Sequence, residues 1–360
     1  MANWPNWLPI KESLRDNKVY GAPQIQDVIK LNTNENPYQL PKSVITELTN
    51  EIELIAKNLN RYPDRDAIKL RSALAGYLSK DFLTAENIWA ANGSNEILQQ
   101  IFLAYANSSC VGLSPSYSVH PLIAKITNSD WTAISLKEDF TIDIPALHKK
   151  IEETNPSLIF ITSPNNPTGG VVKLSDIKKI AEFIQGRSAL LIVDEAYAEF
   201  SSEKSAIELI KDFPQIAVVR TMSKAFAFAG VRVGYLVADP NVIAGLKIVR
   251  LPYHLSTLTQ AAALVALNNV KLMQSEIELI VSERNRLHTE MTKLGLKVID
   301  SGANFLFFTG FQPKSQDLWQ RILDHGILIR DVGIEGFLRV TIGTPEENEQ
   351  FLNSLKTSLR

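Results

Sequence analysis

Residues 157–197 read SLIFITSPNNPTGGVVKLSDIKKIAEFIQGRSALLIVDEAY, and the order of patterns within them decides the fold. Ser157–Thr162 is a short apolar run, the mark of a strand buried on both faces. Ser163–Gly170 is turn chemistry, rich in proline, asparagine and glycine. Leu174–Gln185 places Ile177, Ile180, Ala181 and Ile184 on one helical face, with Ser175 as the expected cap and Gly186 as the stop. Ala189–Val193 is a second buried strand that runs into Asp194-Glu195-Ala196-Tyr197. Strand, helix, strand at this spacing predicts a mostly parallel sheet covered on both faces.

The same alternation extends outward. Ile216–Val219 reads as a strand leading into Arg220–Tyr235, RTMSKAFAFAGVRVGY. Upstream, helices are expected over Lys42–Leu59, with Val44, Ile45, Leu48, Ile52, Ile55 and Leu59 in phase, over Ala67–Leu78 and over Ile97–Tyr105. Strands are expected from Cys110 and over Trp131–Leu136. Ligands of such sheets bind beyond the carboxyl ends of the strands, and Asn166, Asp194 and Lys224 each fall just past one. After Leu251 the texture changes. Helices at Leu258–Asn268 and Lys271–Leu294 are followed by strands at Asn304–Thr309, Gly326–Arg330 and Phe337–Ile342. A last helix opens on the capping box Thr344-Pro345-Glu346-Glu347. The expected class is α/β, a three-layer αβα large domain with a smaller α+β domain. The division is an arm at 1–38, a large domain at 39–250 and a small domain at 251–360. Trp4 and Trp7 are unusual in a loose tail, so the arm is expected to pack on the small domain or on a partner subunit.

At 360 residues the chain fits about two domains. Its net charge of −2, with both signs interspersed, offers no basic stripe for nucleic acid and no polybasic patch for a membrane. The single cysteine, Cys110, excludes an intrachain disulfide and suits a reducing compartment. With no Cys/His cluster near it, it reads as an inert buried thiol and no metal site is expected. No basic segment precedes an apolar run at the N-terminus, and no stretch reaches the ~20 apolar residues of a membrane span. A cytoplasmic protein is expected.

Several residue groups carry chemistry. In RTMSKAFAFAGVRVGY, Thr221, Ser223 and Arg232 suit one phosphate, and Lys224 lies beside them. Ala90–Glu96 enters a helix through Gly93 and Ser94. That entrance is either an ordinary cap or an anion site built on free N–H groups at the positive dipole end. Pyridoxal phosphate (PLP) would use all of these. It needs an amine for its aldehyde, which Lys224 supplies, and a carboxylate at the pyridine nitrogen, for which Asp194 is placed. It also needs donors at the ring oxygen O3′, for which Asn166 and Tyr197 are candidates. Gly93–Asn95 with Thr221, Ser223 and Arg232 would cradle its phosphate, and Tyr117 could stack on its ring. Tyr62, in Arg61-Tyr62-Pro63-Asp64, is either a surface tyrosine or a phenol presented to a ligand; nothing local decides.

The motifs LNTNENPY (31–38), RYPD (61–64), SPNNPTG (163–169), DEAYAEF (194–200), RTMSKAFAFAGVRVGY (220–235), ILIRD (327–331) and LRVTIGT (338–344) together resemble the fold-type I PLP-dependent aminotransferases. LNTNENPY and SKAFAFAG are most similar to the histidinol-phosphate branch of class II. The resemblance runs from about Tyr20 to the C-terminus. It implies that Lys224 is the Schiff-base lysine, Asp194 the pyridinium partner and Tyr117 the stacking ring, with Asn166 and Tyr197 at O3′. Ser94, Asn95, Thr221, Ser223 and Arg232 would hold the cofactor phosphate, Asn95 standing where many relatives carry aspartate. Tyr62 is implied to reach a neighbouring subunit's cofactor phosphate, which makes the active unit a homodimer with shared sites. Arg339 and Arg330 are implied at the substrate's anionic group, with Tyr20 and Asn34 closing the pocket. The implied reaction transfers the amino group of L-histidinol phosphate to 2-oxoglutarate, giving imidazole acetol phosphate and L-glutamate. The rivals are an aromatic (phenylalanine) aminotransferase of the same fold, a PLP decarboxylase of an amino-acid phosphate and a non-catalytic ligand-binding protein.

Overall fold

Two of the expected strands set the architecture. In the computed structural model, Leu158–Thr162 and Leu190–Asp194 run parallel, pairing Leu158 with Leu190 and Thr162 with Asp194. The structure describes residues 4–16 and 19–360; Met1–Asn3 and the pair 17–18 of the expected arm lie outside the described residues.

Chain order begins with β1 (Ile29–Lys30), α1 (Lys42–Ala56), α2 (Ile68–Leu78), β2 (Ile88–Ala91), α3 (Ser94–Tyr105), β3 (Cys110–Ser114), α4 (Val119–Ile126) and β4 (Trp131–Ser135). It continues with α5 (Ile144–Thr154), β5 (Leu158–Thr162), α6 (Leu174–Ile184), β6 (Leu190–Asp194), β7 (Ile216–Thr221), β8 (Gly234–Val237) and α7 (Pro240–Val249). The last part holds α8 (Thr257–Asn268), α9 (Val270–Lys293), β9 (Lys297–Ile299), β10 (Phe305–Thr309), α10 (Ser315–Asp324), β11 (Ile327–Leu328), β12 (Leu338–Thr341) and α11 (Pro345–Ser358).

Seven strands form one sheet in the order β2-β8-β7-β6-β5-β3-β4. Only β8 runs against its neighbours. Side chains alternate across this sheet and feed two apolar layers. Ile159, Ile161, Leu191, Val193 and Val218 join one layer; Leu158, Phe160, Ile192, Ala217 and Val219 join the other. Each such fully buried side chain contributes about 1.5–3 kcal/mol, and two covered faces explain why these strands read as unbroken apolar runs. Cys110 is buried in the second layer, and burial pushes its thiol up to about 12, as suits an inert group.

β9, β10 and β12 form a separate antiparallel sheet, and β1 pairs in parallel with β11. Residues 29–34 are therefore laced to the C-terminal part of the chain. Leu31 N–H donates to Leu328 O and Thr341 N–H to Leu31 O. We propose the division 1–38, 39–250 and 251–360, supported by two sheets drawn from separate stretches of the chain. The Thr344 capping box forms as expected, Thr344 Oγ1 accepting from Glu347 N–H and Glu347 accepting from Thr344 N–H, a device that contributes about 1 kcal/mol.

The structure corrects four local expectations. α6 is capped from Lys173 with no side-chain bond, not by Ser175. α1 stops at Ala56, so Leu59 lies outside it, and Ile45, Ile52 and Leu59 are exposed although their spacing looked like a core stripe. α3 starts at Ser94, one turn earlier than expected. Of Gly326–Arg330 only Ile327–Leu328 is strand, paired to β1, while Arg330 makes an isolated bridge to Arg339. Short β2 and β8 had no sequence signal, because a four-residue strand is too short to show a distinct period.

Candidate active site

The carboxyl ends of β5, β6 and β7 open onto a cleft of about 840 Å³. Three elements meet at one corner of it. Gly93, with φ +82, turns the chain into α3, whose first N–H groups have no partner within the helix. A Cβ on Gly93 would lie 2.5 Å from Arg232 Nη2, and one on Gly234 2.3 Å from Ser94 N. Both positions need glycine for this close approach. At the end of β7, Thr221 donates to Ser223 Oγ at 3.0 Å and accepts from Ser223 N–H at 3.1 Å. Arg232 Nη1 donates to Ser223 Oγ and to Ala229 O. Arg232 sits in the left-handed region at φ 61, where a non-glycine residue stores of order 1 kcal/mol or more. Helix terminus, two hydroxyls and a guanidinium make an anion cradle.

Asp194, the last residue of β6, is buried and accepts from Ala196 N–H at 3.2 Å. His120 Nε2 lies 3.3 Å from Asp194 Oδ2 without the alignment of a hydrogen bond. The His120 ring meets the Tyr117 ring edge-on, with centroids 5.4 Å apart. Tyr117 donates to Asn95 Oδ1 at 3.1 Å, and burial raises its phenol above the ordinary value. Lys224 Nζ donates to Thr33 O at 2.8 Å. Burial, helped by Arg339 and Arg232 and opposed by Glu35, pushes its ammonium down to about 8.

The opposite wall comes from the arm and from β12. Arg339 donates through Nη1 to Asn166 Oδ1 and through Nη2 to Asn32 O at 2.8 Å. Its guanidinium stands 5.1 Å from the centre of the Phe305 ring, and burial pushes it down to about 10. Asn34 Nδ2 donates to the Tyr197 hydroxyl at 2.9 Å. Arg330, paired to Arg339 through its main chain, also lines the cleft. Tyr20 lines it too and is half exposed.

Of the site residues singled out from sequence, all but Gly93 and Tyr62 line this one cleft. Tyr62 is 79% exposed and stacks on Tyr253 at 4.4 Å. The arm residues Asn32 and Thr33, the β12 residue Thr341 and His120 were not foreseen. Two of them act through main-chain carbonyls, which carry no residue signature. A larger cavity of about 1040 Å³, bordered by Phe140, Arg284 and Lys297, holds none of the candidate residues. Among the described residues no helix is long and apolar enough to cross a membrane.

Comparisons with known proteins agree with this fold. The family described as "Aminotransferase class I and II" matches residues 26–355. The chain is 49% identical over 351 residues to the histidinol-phosphate aminotransferase of Mycolicibacterium smegmatis, covering 96% of this chain and 92% of that one. It is 48% identical over 353 residues to the Corynebacterium glutamicum enzyme of the same name, covering 96% and 95%. The crystal structure of the histidinol-phosphate aminotransferase from Clostridium acetobutylicum superposes with a TM-score of 0.84 at 26% identity, over 92% of this chain and 99% of that one.

Proposed function

The chain belongs to the class I and II aminotransferases, and on that premise we propose that it moves the amino group of L-histidinol phosphate to 2-oxoglutarate, yielding imidazole acetol phosphate and L-glutamate. It is a PLP-dependent enzyme. The observation that carries the assignment of residues is the single cleft shared by Lys224, Asp194 and the anion cradle. The cradle fits a phosphate monoester, since glycine at 93 and 234 lets the Arg232 guanidinium and the N–H end of α3 pack together at one corner of the cleft. Ser94, Asn95, Thr221, Ser223 and Arg232 would hold that phosphate, Asp194 the pyridine nitrogen, Asn166 and Tyr197 the ring oxygen, and Tyr117 the ring face. When bound, PLP supplies an electron sink for the charge that develops at the substrate's Cα.

The protein's own groups handle the protons. Lys224 Nζ would hold the aldehyde end of PLP, and its free amine would take the proton from the substrate's Cα. Burial, helped by Arg339 and Arg232, pushes its ammonium down to about 8, which raises the share of free amine near neutral pH above that of an ordinary lysine. Asn166 Oδ1 is occupied by Arg339, so its amide N–H groups are the ones left to donate. Arg339 and Arg330 attract the anionic end of the substrate, a phosphate in one half-reaction and a carboxylate in the other. Tyr20 and the arm narrow the mouth and limit the entry of water.

The discriminating measurement is kcat/KM for histidinol phosphate against phenylalanine. The value is expected to be at least tenfold higher for histidinol phosphate; the reverse order assigns the aromatic aminotransferase instead, and carbon dioxide release assigns a decarboxylase.

The proposed active unit is a homodimer in which Tyr62 serves the cofactor phosphate of the other site. Two things support it: Tyr62 lies outside its own cleft, and the chain alone leaves Ile45, Ile52, Leu54, Leu59, Ile248 and Leu251 in water. Sedimentation is expected to give twice the 40.1 kDa chain mass; a fully active monomer would refute shared sites. A cytoplasmic location is part of the same proposal and rests on the lone cysteine and the biosynthetic chemistry.

A further inference from the structure

The hydrogen bonds around Asn34 leave one arrangement of protons. Asn34 and Thr341 are almost completely buried, and Tyr197 nearly so. Asn34 N–H donates to Thr341 Oγ1 at 3.0 Å. A main-chain N–H can only donate, so the Thr341 oxygen must accept there. Its own proton needs an acceptor, and Asn34 Oδ1 stands at 3.1 Å. Among the described residues, the hydrogen bonds of Thr341 Oγ1 offer no other acceptor. The Asn34 side chain is thereby held with its oxygen toward Thr341 and its NH2 toward Tyr197. With the amide reversed, Thr341 Oγ1 would receive two N–H groups and keep a buried proton without an acceptor, which proteins rarely tolerate.

The consequence falls on Tyr197. Facing an NH2 group at 2.9 Å, its oxygen accepts. Its single proton makes no other hydrogen bond among the described residues, and the side chain lines the cleft. We propose that Thr341 is a positioning residue for Tyr197: by locking the flip of the Asn34 amide it makes the phenol accept from Asn34 and reserves its one proton for the ring oxygen of the cofactor. The frame is firm. Asn34 takes the left-handed backbone region at φ 55, which asparagine tolerates, and its carbonyl accepts from Asn304 Nδ2 at 3.1 Å. Burial also keeps the Tyr197 phenol protonated across the working pH range. The lock ties β12, near the end of the chain, to a residue just beyond β6, so the small domain must be seated before the proton is aimed. The inference rests on the reading that Tyr197 faces PLP.

The test is a pH titration of the visible absorption of the PLP-loaded protein. A proton donated to the ring oxygen stabilises the deprotonated chromophore, in which that oxygen carries uncompensated negative charge. Thr341→Val keeps the shape and removes the lock, so its midpoint is expected about one pH unit above wild type, a tenfold gain in proton affinity. Thr341→Ser restores the hydroxyl and is expected to return the midpoint to the wild-type value. Asn34→Asp offers acceptors to both hydroxyls, draws the Tyr197 proton away from the cofactor and is expected to shift the midpoint the same way as valine. Thermal melting of the apoproteins separates this from loss of fold, and Asn34→Asp carries the test if the valine variant does not fold. Coincident midpoints in wild type and the folded variants, or a serine variant displaced as far as the valine one, overturn the proposal. A wild-type protein that gains no visible band with PLP refutes the cofactor reading instead.

Discussion

Replacing Lys224 by alanine is expected to lower turnover at least about 10⁴-fold, the upper range for a positioned general base, and to abolish the covalent visible band of the PLP-loaded protein. Nothing else on the cleft wall can substitute. The cations that act on it are Arg339 and Arg232, and guanidinium groups neither condense with an aldehyde nor give up a proton near neutral pH. Steady-state assays with a coupled glutamate readout, and absorption spectra of the same samples, check both halves. Retained activity would remove Lys224 from the mechanism.

The same residue also predicts a stability effect in the apoprotein. The folded-state value of about 8 lies below the 10.5 of an ordinary lysine. Between these values the unfolded chain binds more protons than the folded one, so stability rises with pH across that window. Below about pH 8 both states are protonated and the penalty of a buried ammonium is complete. Lys224→Met removes that penalty, and at pH 7 the apo variant is expected to be more stable by as much as about 3 kcal/mol. The gain should shrink as pH approaches 10.5. Denaturant titrations at pH 7 and pH 10 measure it, and an equal effect at both pH values would refute burial as the cause. The amine proposed as catalytic is thus held at a cost to the fold, as functional groups often are.

Arg339→Ala is expected to lower kcat/KM about 10²–10³-fold for both the amino donor and the 2-oxo acid, the scale of a lost buried charge contact. The visible band of bound PLP should survive, because the cradle and Lys224 lie on other elements. Arg339→Lys should rescue little. The wild-type guanidinium divides its donors between Asn166 Oδ1 and Asn32 O, a fork that a point-charge ammonium cannot reproduce. Loss of the band instead would mean that Arg339 supports the cofactor through Asn166. Selective loss with only one partner would give the other anion to Arg330.

Residue type and spacing were enough to predict the parallel sheet and the placing of Asn166, Asp194 and Lys224 at strand ends, because a strand buried on both faces must be apolar throughout and the ligand groups must follow where it stops. They also singled out the glycine and hydroxyls of the proposed phosphate cradle, which the structure brings to one corner of the cleft. Chain pattern alone did not reveal β2 and β8, too short to show a period, or that α1 carries Ile45 and Ile52 in water, since spacing marks an apolar stripe without saying what covers it. Nor did it reveal the joins made by main-chain atoms and distant side chains: Thr33 O at Lys224, Asn32 O at Arg339, His120 beside Asp194 and Thr341 behind Asn34. Carbonyl oxygens are alike in every residue, and these partners stand up to 307 positions apart. The packing of the arm, β12 and α4 around the carboxyl end of the large sheet brings them within reach, and with them the direction in which each proton points.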